Sequence, residues 1–155
     1  MKEEKLLLSS QICFPIYSVS RLLTKAYKPH LEELGITYPQ YLVLMVLWEN
    51  DKVSVNQITE KLLLNTNTMS PLLKRMEKMD LVNRTRSKED ERIVIVALTD
   101  KGRELKTKAL PIPDRLFDEI VTDEIEIDDM LKLKDTLCEL ISVLTVKNEA
   151  SVPSE

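Results

Sequence analysis

The stretch SVNQITEKLLLNTNTMSPLLKRMEKMDLVNRTRSKEDERIVIVALT, residues 54–99, decides the fold, and we call it the central segment. Its first part, residues 54–64, predicts a short helix, because Ser54 precedes it as a cap and Gln57 follows in capping-box spacing. A turn at residues 65–67 then leads into a second helix, whose apolar residues recur at helical spacing. The residues that this spacing directs inward are Met69, Leu72, Leu73, Met76 and Met79.

The rest of the central segment predicts a β-hairpin. Residues 81–86 and 92–98 are rich in β-formers, and the charged sequence SKED separates them. We place the cap of the preceding helix at Asn67, so that Pro71 falls early in it, where amides have no helical partner. Short helix, turn, helix and charged hairpin is the order of a winged helix-turn-helix. In that fold the second helix enters the major groove of DNA and the hairpin reaches the adjacent backbone.

Helical patterns precede the central segment. Residues 12–27 carry apolar side chains at helical spacing, and Pro29 is expected to stop this helix. Residues 38–48, YPQYLVLMVLW, predict a strongly apolar helix with Pro39 in its first turn. With only 2 glycines in the chain, a turn-rich β-sandwich is disfavoured. The predicted fold class is therefore mainly α with a small β-hairpin wing.

Helical patterns also follow the central segment. A helix capped by Thr99 is expected to be interrupted near Pro111 and Pro113. A last helix is expected from about residue 125 to 146, before a tail at 148–155. Its apolar stripe consists of Leu133, Leu137, Leu140, Ile141 and Leu144. The apolar stripes at both chain ends exceed what one small domain can cover, which predicts a two-fold dimer.

The expected domain organisation follows from these elements. We predict a single domain over residues 1–155, with a winged helix-turn-helix at about 36–100. Dimerisation helices are expected at about 8–30 and 103–147.

Composition excludes several classes of protein. The chain has 155 residues, of which 43% are hydrophobic and 31% charged, as in ordinary globular proteins. One His and two Cys cannot build a Ser-His-Asp site or a His-rich metal site. No run of 18 apolar residues predicts a membrane span, and the N-terminus MKEEKLLLSS lacks a signal-peptide pattern. We expect a cytoplasmic protein that is not an enzyme and holds neither metal nor cofactor.

Charge is unevenly distributed along the chain. Residues 1–51 carry a net charge of -1, residues 52–108 carry +5, and residues 109–155 carry -8. A basic middle region can meet phosphates, whereas the acidic remainder limits indiscriminate binding. Double-stranded DNA is therefore the expected partner, although any charged surface shows local excesses.

Polar residues of the second helix and the hairpin are candidate DNA contacts. Short polar side chains near the helix start can approach bases, and longer basic ones suit phosphates. Asp90 lies two residues before Arg92 and is placed to orient that guanidinium, although an ordinary turn salt bridge is the alternative. The candidate DNA contacts are Asn67, Thr68, Ser70, Pro71, Lys74, Arg75, Arg84, Arg86, Lys88, Asp90 and Arg92.

The two cysteines, Cys13 and Cys138, are either inert core residues or redox-active thiols, which are the two roles of lone cysteines in a reducing compartment. Cys13 and Tyr17 are neighbours on one helical face if the helix is already formed there. Pro15 disfavours helical geometry at Phe14, and a helix that begins at Pro15 would instead place Cys13 near its positive end. The alternative is that Cys13 is a small buried hydrophobe.

Residues 11–108 resemble the MarR family of dimeric winged-helix regulators, and most of all its organic hydroperoxide regulator branch (OhrR). The stretches that carry the resemblance are QICFPIYSVSRLLTKAYKP (11–29), GITYPQYLVLMVLWE (35–49), NTNTMSPLLKRME (65–77) and RSKEDERIVIVALTDKG (86–102). The first two stretches distinguish this branch from MarR proteins that lack the cysteine.

The resemblance implies a redox switch. Cys13 would be the peroxide-sensing cysteine, Tyr27 and Tyr38 would reach its sulfur from the other subunit, and Tyr17 would lie nearby. The reduced homodimer would repress from a pseudo-palindromic operator and release it when organic hydroperoxide oxidises Cys13. The sulfenic acid formed first condenses with a thiol. We expect a small thiol in that role. The alternative is Cys138, which would then be the resolving cysteine and form a disulfide with Cys13 across the dimer.

Three other functions remain open from the sequence. The chain could be a MarR-type regulator controlled by a small aromatic ligand, or a cysteine-based global regulator of virulence or stress. A thiol peroxidase without a DNA function is the third alternative, and the basic wing argues against it.

Overall fold

A computed structural model describes residues 6–122 and 125–150, the last three by their backbone alone. The helices are α1 (Cys13–Glu33), α2 (Tyr38–Glu49), α3 (Val55–Leu62), α4 (Thr66–Lys78), α5 (Asp100–Ala109), α6 (Ile112–Ile120) and α7 (Ile127–Ala150). The strands are β1 (Val53–Ser54), β2 (Val82–Arg86) and β3 (Val94–Leu98). These elements confirm the predicted fold class, a mainly helical chain with a β-hairpin wing.

The chain divides into two compact units, and the division falls between Ile112 and Pro113. The first unit holds α1 to α5 and the sheet, and the second holds most of α6 and all of α7. The single domain expected from the sequence stays a prediction.

The core of the first unit is built around α2. Its sequence is apolar on nearly every side, and Tyr41, Val43, Leu44 and Leu47 are all buried. α2 contacts α1, α3, α4 and α5, so a helix without a polar face is covered from several directions. This central helix gives the other helices of the unit a common packing surface.

The helix-turn-helix consists of α3 and α4. The predicted capping box of α3 is confirmed, because Ser54 Oγ accepts from the Gln57 amide at 3.2 Å and Gln57 Oε1 accepts from the Ser54 amide at 2.8 Å. The cap predicted for α4 at Asn67 is wrong. Asn65 caps α4 instead, because its extended backbone lets Oδ1 accept from the Thr68 amide at 3.0 Å.

The corrected cap moves Pro71 away from the first turn of α4. Pro71 now lies in the second turn, where a residue with an amide would donate to the carbonyl of Asn67. Because proline has no N–H, that helical hydrogen bond is missing. The helix continues, since Met69, Leu72 and Leu73 anchor the turns around Pro71 in the core.

The wing is a three-stranded antiparallel sheet in the order β1-β3-β2. The predicted hairpin is confirmed, with Val82 opposite Leu98 and Arg84 opposite Val96. The sequence prediction missed β1, because two residues are too few to show an alternating pattern. Ser54 of β1 lies opposite Ile95, so the cap residue of α3 is also tied to the wing.

The bounds of α1 differ from the prediction at both ends. Pro29 does not stop it, because a proline removes only one helical hydrogen bond, here the one to Lys25, and α1 continues to Glu33. The chain then turns at Gly35, whose φ of 69° is in the left-handed region. At the other end Pro15 lies in the first turn, where its nitrogen needs no partner, so the helix already begins at Cys13.

The C-terminal helices follow the prediction more closely. Thr99 caps α5, as predicted, by accepting from the Gly102 amide at 3.0 Å, and the helix ends before Pro111. The interruption predicted at Pro113 is wrong, because Pro113 is the second residue of α6, where its nitrogen needs no helical partner. The last helix, α7, continues to Ala150 and therefore includes the first part of the segment expected to be a tail. Residues 151–155 of that segment lie outside the described residues.

Candidate functional site

The exposed face of α4 carries most of the helix residues that the sequence nominated as DNA contacts. The opposite face is buried through Met69, Leu72, Leu73 and Met76, as predicted. Helical geometry therefore turns the polar residues outward together. The exposed ones are Asn67, Thr68, Pro71, Lys74 and Arg75, and Ser70 is half-buried.

The start of α4 positions the hydroxyl oxygen of Thr68 as a hydrogen-bond acceptor. The Thr68 hydroxyl donates to Oδ1 of Asn65 at 3.0 Å, so the capping side chain holds this hydroxyl as well as the Thr68 amide. A hydroxyl that donates its hydrogen inside the protein presents its oxygen lone pairs outward. Asn65, which the sequence analysis treated as a turn residue, thus positions a candidate DNA contact.

The wing holds Arg92 in a fixed orientation. Its Nε and Nη2 donate to the two carboxylate oxygens of Asp90, both at 3.0 Å, and its amide donates to Asp90 Oδ1 at 3.0 Å. The pairing expected from the sequence is thereby confirmed. The hydrogen bonds from Arg92 lower the pKa of Asp90, and Asp90 raises the pKa of Arg92. The Arg92 side chain is 90% exposed, so its other donors point into solvent.

The turn between β2 and β3 arranges the remaining basic residues of the wing. Ser87 Oγ accepts from the amide of Glu89 at 3.2 Å, which closes the turn that carries the exposed Lys88. Arg86 Nη1 donates to the carbonyl of Glu91 at 3.1 Å, across the same turn. Lys88 and Arg92 therefore lie on one compact hairpin tip.

Arg84 differs from the other candidate contacts because a residue of α4 holds it. Its Nε and Nη2 both donate to Oε2 of Glu77, at 3.1 and 2.6 Å. The Arg84 hydrogen bond lowers the pKa of the Glu77 carboxyl. The sequence analysis missed Glu77, because nothing in a helical pattern indicates which exposed acid meets a later strand.

Cys13 is an exposed free thiol at the first position of α1. Both arrangements that the sequence left open are therefore present. Cys13 lies at the helix N-terminus, and Tyr17 follows one turn later on the same helix. The burial expected for a structural cysteine is not found. Tyr17 is 58% exposed, and the guanidinium of Arg21, a residue that the sequence analysis missed, lies 5.6 Å from its ring centroid.

Tyr27 and Tyr38 pack with Tyr41 in a group that we call the tyrosine cluster. The ring centroids of Tyr27 lie 5.0 Å from Tyr38 and 5.8 Å from Tyr41. Burial, followed by Tyr41 and Tyr38, raises the pKa of Tyr27 to about 12, and burial also raises the pKa of Tyr38. These phenols stay protonated at neutral pH and can donate hydrogen bonds. Tyr41 was missed because its spacing is that of an ordinary core residue.

Within one chain the tyrosine cluster is distant from Cys13. Cys13 and Tyr27 are 14 residues apart on the same continuous helix, which at about 1.5 Å per residue separates them by about 21 Å along the axis. The structure therefore brings Cys13 together with Tyr17 and separates it from Tyr27 and Tyr38 of the same chain.

Cys138 is exposed on α7 and is also a free thiol. It belongs to the second unit, whereas Cys13 belongs to the first. Among the described residues, no group of three or more His, Cys, Asp or Glu side chains could hold a metal ion. No helix in the described ranges is long and apolar enough to cross a membrane.

The helix-turn-helix and the wing lie in the part of the sequence that matches a known family. Residues 25–109 match the family described as transcriptional regulator SarA/Rot. The matched residues include α2 to α5 and the sheet. The chain belongs to this family of MarR-like winged-helix regulators. The matched range also includes Tyr27, Tyr38 and Tyr41.

Individual relatives extend the similarity over nearly the whole chain. The organic hydroperoxide resistance transcriptional regulator of Bacillus subtilis (strain 168) is 43% identical over 147 residues, which cover 95% of this chain and 98% of that protein. The regulator SarZ of Staphylococcus aureus is 36% identical over 131 residues, covering 84% of this chain and 88% of SarZ.

Solved structures show the same similarity. Reduced AbfR bound to DNA superposes with a TM-score of 0.76 at 36% identity, over 94% of this chain and 99% of that one. AbfR is a protein of Staphylococcus epidermidis. A disulfide form of AbfR superposes with a TM-score of 0.61 at 35% identity, over 96% of this chain and 97% of that one.

Proposed function

We propose that this protein is a redox-sensing transcription regulator. Its reduced homodimer binds a pseudo-palindromic operator in the cytoplasm and represses transcription, and an organic hydroperoxide releases it by oxidising Cys13. The observation that carries the proposal is the exposed thiol of Cys13 at the first position of α1, in a chain 43% identical to an organic hydroperoxide resistance regulator.

DNA binding is assigned to α4 and the wing. We propose that Asn67, Thr68, Ser70 and Pro71 face bases in the major groove, since they lie at the start of the recognition helix. The side chains proposed to contact the DNA backbone or the minor groove are Lys74, Arg75, Arg86, Lys88 and Arg92, the last oriented by Asp90. Two such modules related by a two-fold axis would read half-sites about one helical turn apart.

Dimer formation is supported by apolar side chains that a single copy leaves in solvent. Along α1 these include Val19 and Leu22, with Ile12 directly before the helix, and in α7 the predicted stripe is represented by Leu140 and Leu144. A soluble protein rarely leaves so many large apolar side chains uncovered. The distance between Cys13 and the tyrosines of its own helix gives a second reason for a dimer. Tyr27 and Tyr38 can support the thiolate only from another copy.

The proposed reaction at Cys13 is a two-electron oxidation. The Cys13 thiolate attacks the terminal oxygen of the hydroperoxide, a sulfur–oxygen bond forms, and the oxygen–oxygen bond breaks to release an alcohol after protonation. The sulfenic acid then condenses with a small thiol, which releases water and leaves a mixed disulfide. Phenol groups stabilise the thiolate by donating hydrogen bonds and do not titrate near neutral pH.

Oxidation needs only to change the relative populations of two dimer conformations. Operator binding requires that both copies of α4 fit successive major grooves, so a modest change in their separation weakens the complex. A mixed disulfide or an intersubunit bridge from Cys13 to Cys138 would each disturb the helices that carry these thiols. We propose the mixed disulfide as the end state.

The experiment that tests the proposal is fluorescence anisotropy with a duplex selected from genomic fragments by the reduced protein. Binding is measured at one salt concentration before and after a stoichiometric amount of organic hydroperoxide. We expect the wild type to lose affinity on oxidation and Cys13→Ser to keep it. Cys138→Ser is the matched control, because it removes the other exposed thiol, and we expect it to respond as the wild type does.

Two outcomes would contradict the proposal. Unchanged affinity of the wild type after full oxidation of Cys13, verified by mass spectrometry, would remove the redox switch and favour control by a small ligand. Sustained turnover of hydroperoxide with a thiol reductant, together with no duplex binding, would favour a thiol peroxidase. We expect one equivalent of alcohol per Cys13 instead, since the role proposed here is not enzymatic.

A further inference from the structure

The recognition helix and the wing are joined by one ion pair. Glu77 lies in the last turn of α4, and Arg84 lies in the middle of β2. Nε and Nη2 of Arg84 converge on the same carboxylate oxygen, Oε2 of Glu77, at 3.1 and 2.6 Å. Charge-assisted hydrogen bonds are shorter and stronger than neutral ones.

The position of the pair follows from the packing of β2. Side chains two residues apart on a strand share a face, so Arg84 lies on the same face as Val82. Val82 is fully buried, and Met76, the residue before Glu77, is fully buried as well. The ion pair therefore closes the edge of the core where α4 meets β2, and only 24% of the Arg84 side chain is exposed.

Arg84 is thus unlike the exposed basic residues of α4 and the wing that are proposed to contact DNA. Lys74, Arg75 and Lys88 are exposed, and the Arg92 side chain is 90% exposed. Arg84 and Arg92 both place Nε and Nη2 on a carboxylate, but the remaining donors of the largely covered Arg84 are less accessible to a phosphate than those of Arg92. The Glu77 carboxylate also opposes DNA binding by its charge, so a purely electrostatic surface would be better without it.

We infer that Glu77 and Arg84 are positioning residues that fix the angle between the recognition helix and the wing. This inference rests on the proposed DNA-binding function. The pair holds α4 and the hairpin in one arrangement, so that bases and the neighbouring backbone are met at the same time. Its loss lets the two elements move relative to each other and lowers specific affinity, although neither side chain needs to touch DNA.

The two explanations of Arg84 predict opposite effects of Glu77→Gln. If Arg84 binds a phosphate, removal of the Glu77 charge frees the guanidinium and leaves operator binding unchanged or tighter. If the pair acts by positioning, Glu77→Gln and Arg84→Gln each weaken operator binding by about three- to tenfold. The double variant is then no weaker than either single variant, because both substitutions break the same link.

The experiment measures anisotropy with the selected operator duplex and a scrambled duplex of equal length, at several salt concentrations. Glu89→Gln is the matched control, since it removes one carboxylate from the exposed turn of the wing. We expect Glu89→Gln to bind the operator as well as or better than the wild type. We expect Glu77→Gln to lose operator affinity while it keeps its affinity for the scrambled duplex.

Two further readouts separate positioning from unfolding and from direct binding of a phosphate. Partial unfolding would reduce binding of both duplexes, so retained binding of the scrambled duplex supports positioning. If Arg84 neutralises a phosphate, Arg84→Gln reduces the slope of log affinity against log salt by about 0.9, whereas positioning leaves the slope unchanged. Glu77→Asp keeps the charge but shortens the side chain, and we expect it to weaken operator binding too, which provides the test if Glu77→Gln does not fold.

The outcomes distinguish this inference from the proposed function. A wild-type protein that does not prefer the operator would overturn both. A wild type that prefers the operator, together with a Glu77→Gln variant that binds it as tightly or more tightly, would overturn the positioning role alone. A reduced salt slope for Arg84→Gln would do the same and would assign Arg84 to a phosphate.

Discussion

The indole N–H of Trp48 donates a hydrogen bond to the carbonyl oxygen of Gly102 at 2.9 Å, and so joins the end of α2 to the first turn of α5. The ring centroids of Trp48 and Tyr41 lie 6.1 Å apart. Trp48 therefore connects the tyrosine cluster to the helix that follows the wing. The residues joined by this hydrogen bond are 54 positions apart in the sequence.

Trp48→Phe should lower the free energy of unfolding modestly. The substitution keeps an aromatic ring against Tyr41 but removes the indole donor, and a net hydrogen bond contributes about 1 kcal/mol. Chemical denaturation of the reduced protein measures the change. A loss of less than a few tenths of a kcal/mol would mean that the hydrogen bond to Gly102 does not stabilise the fold.

Gly102→Ala should be one of the most destabilising substitutions in the chain. A Cβ atom at Gly102 would lie 2.1 Å from the carbonyl oxygen of Leu81, which belongs to the backbone and cannot rotate away. We expect a loss of about 3 kcal/mol or more in the free energy of unfolding. Gly35→Ala is the control, because nothing lies within 4 Å of its Cβ and only its φ of 69° opposes a side chain. That variant should lose about 1 kcal/mol.

Leu63→Gly should stabilise the protein. Leu63 ends α3 with a φ of 53°, in the left-handed region that disfavours side chains, and it is 62% exposed. Because little packing is lost, relief of the backbone strain should raise the free energy of unfolding by about 0.5 to 1 kcal/mol. Glu60→Gly, within the same helix, should instead lower it by about 1 kcal/mol. Equal losses in both variants would contradict strain at Leu63.

The Glu77–Arg84 pair should make stability depend on pH in the acidic range. Arg84 holds the pKa of folded Glu77 below its ordinary value of 4.5, so the pair stabilises the fold above pH 4.5. This contribution falls as the pH drops through the lower, folded-state pKa. Because the carboxylate is partly exposed, the contribution is about 0.5 kcal/mol. The difference in unfolding free energy between wild type and Glu77→Gln should shrink below pH 4.5, and a constant difference would contradict the pairing.

Tyr27→Phe should slow the oxidation of Cys13 without changing DNA affinity in the reduced state. Tyr27 stays protonated because its pKa is about 12, and a hydrogen bond to a charged group contributes about 1.5 to 3 kcal/mol. We expect a decrease of about tenfold or more in the rate of thiol loss with an organic hydroperoxide. Tyr41→Phe is the control, since Tyr41 is buried in the same cluster. Equal rates in wild type and Tyr27→Phe would remove Tyr27 from the site.

Much of the fold was predictable because its signals are local. The capping box of Ser54 and Gln57 spans three residues, and the ion pair of Asp90 and Arg92 spans two. The apolar spacing of α4 likewise indicated its buried face. Local signals also explain the errors. Asn65 and Asn67 are both good caps, and only the path of the chain at the turn decides between them.

The sequence by itself determined the order of the helices, the position of the hairpin between them, and the basic charge of the wing. Those features depend on residues close together in the chain, where periodicity and capping control the backbone. The tertiary structure alone decided that Glu77 holds Arg84, that Trp48 meets Gly102, and that Tyr27 packs against Tyr38. Such relationships depend on how whole elements pack, and packing partners are chosen by shape and burial, which no short pattern of residues encodes.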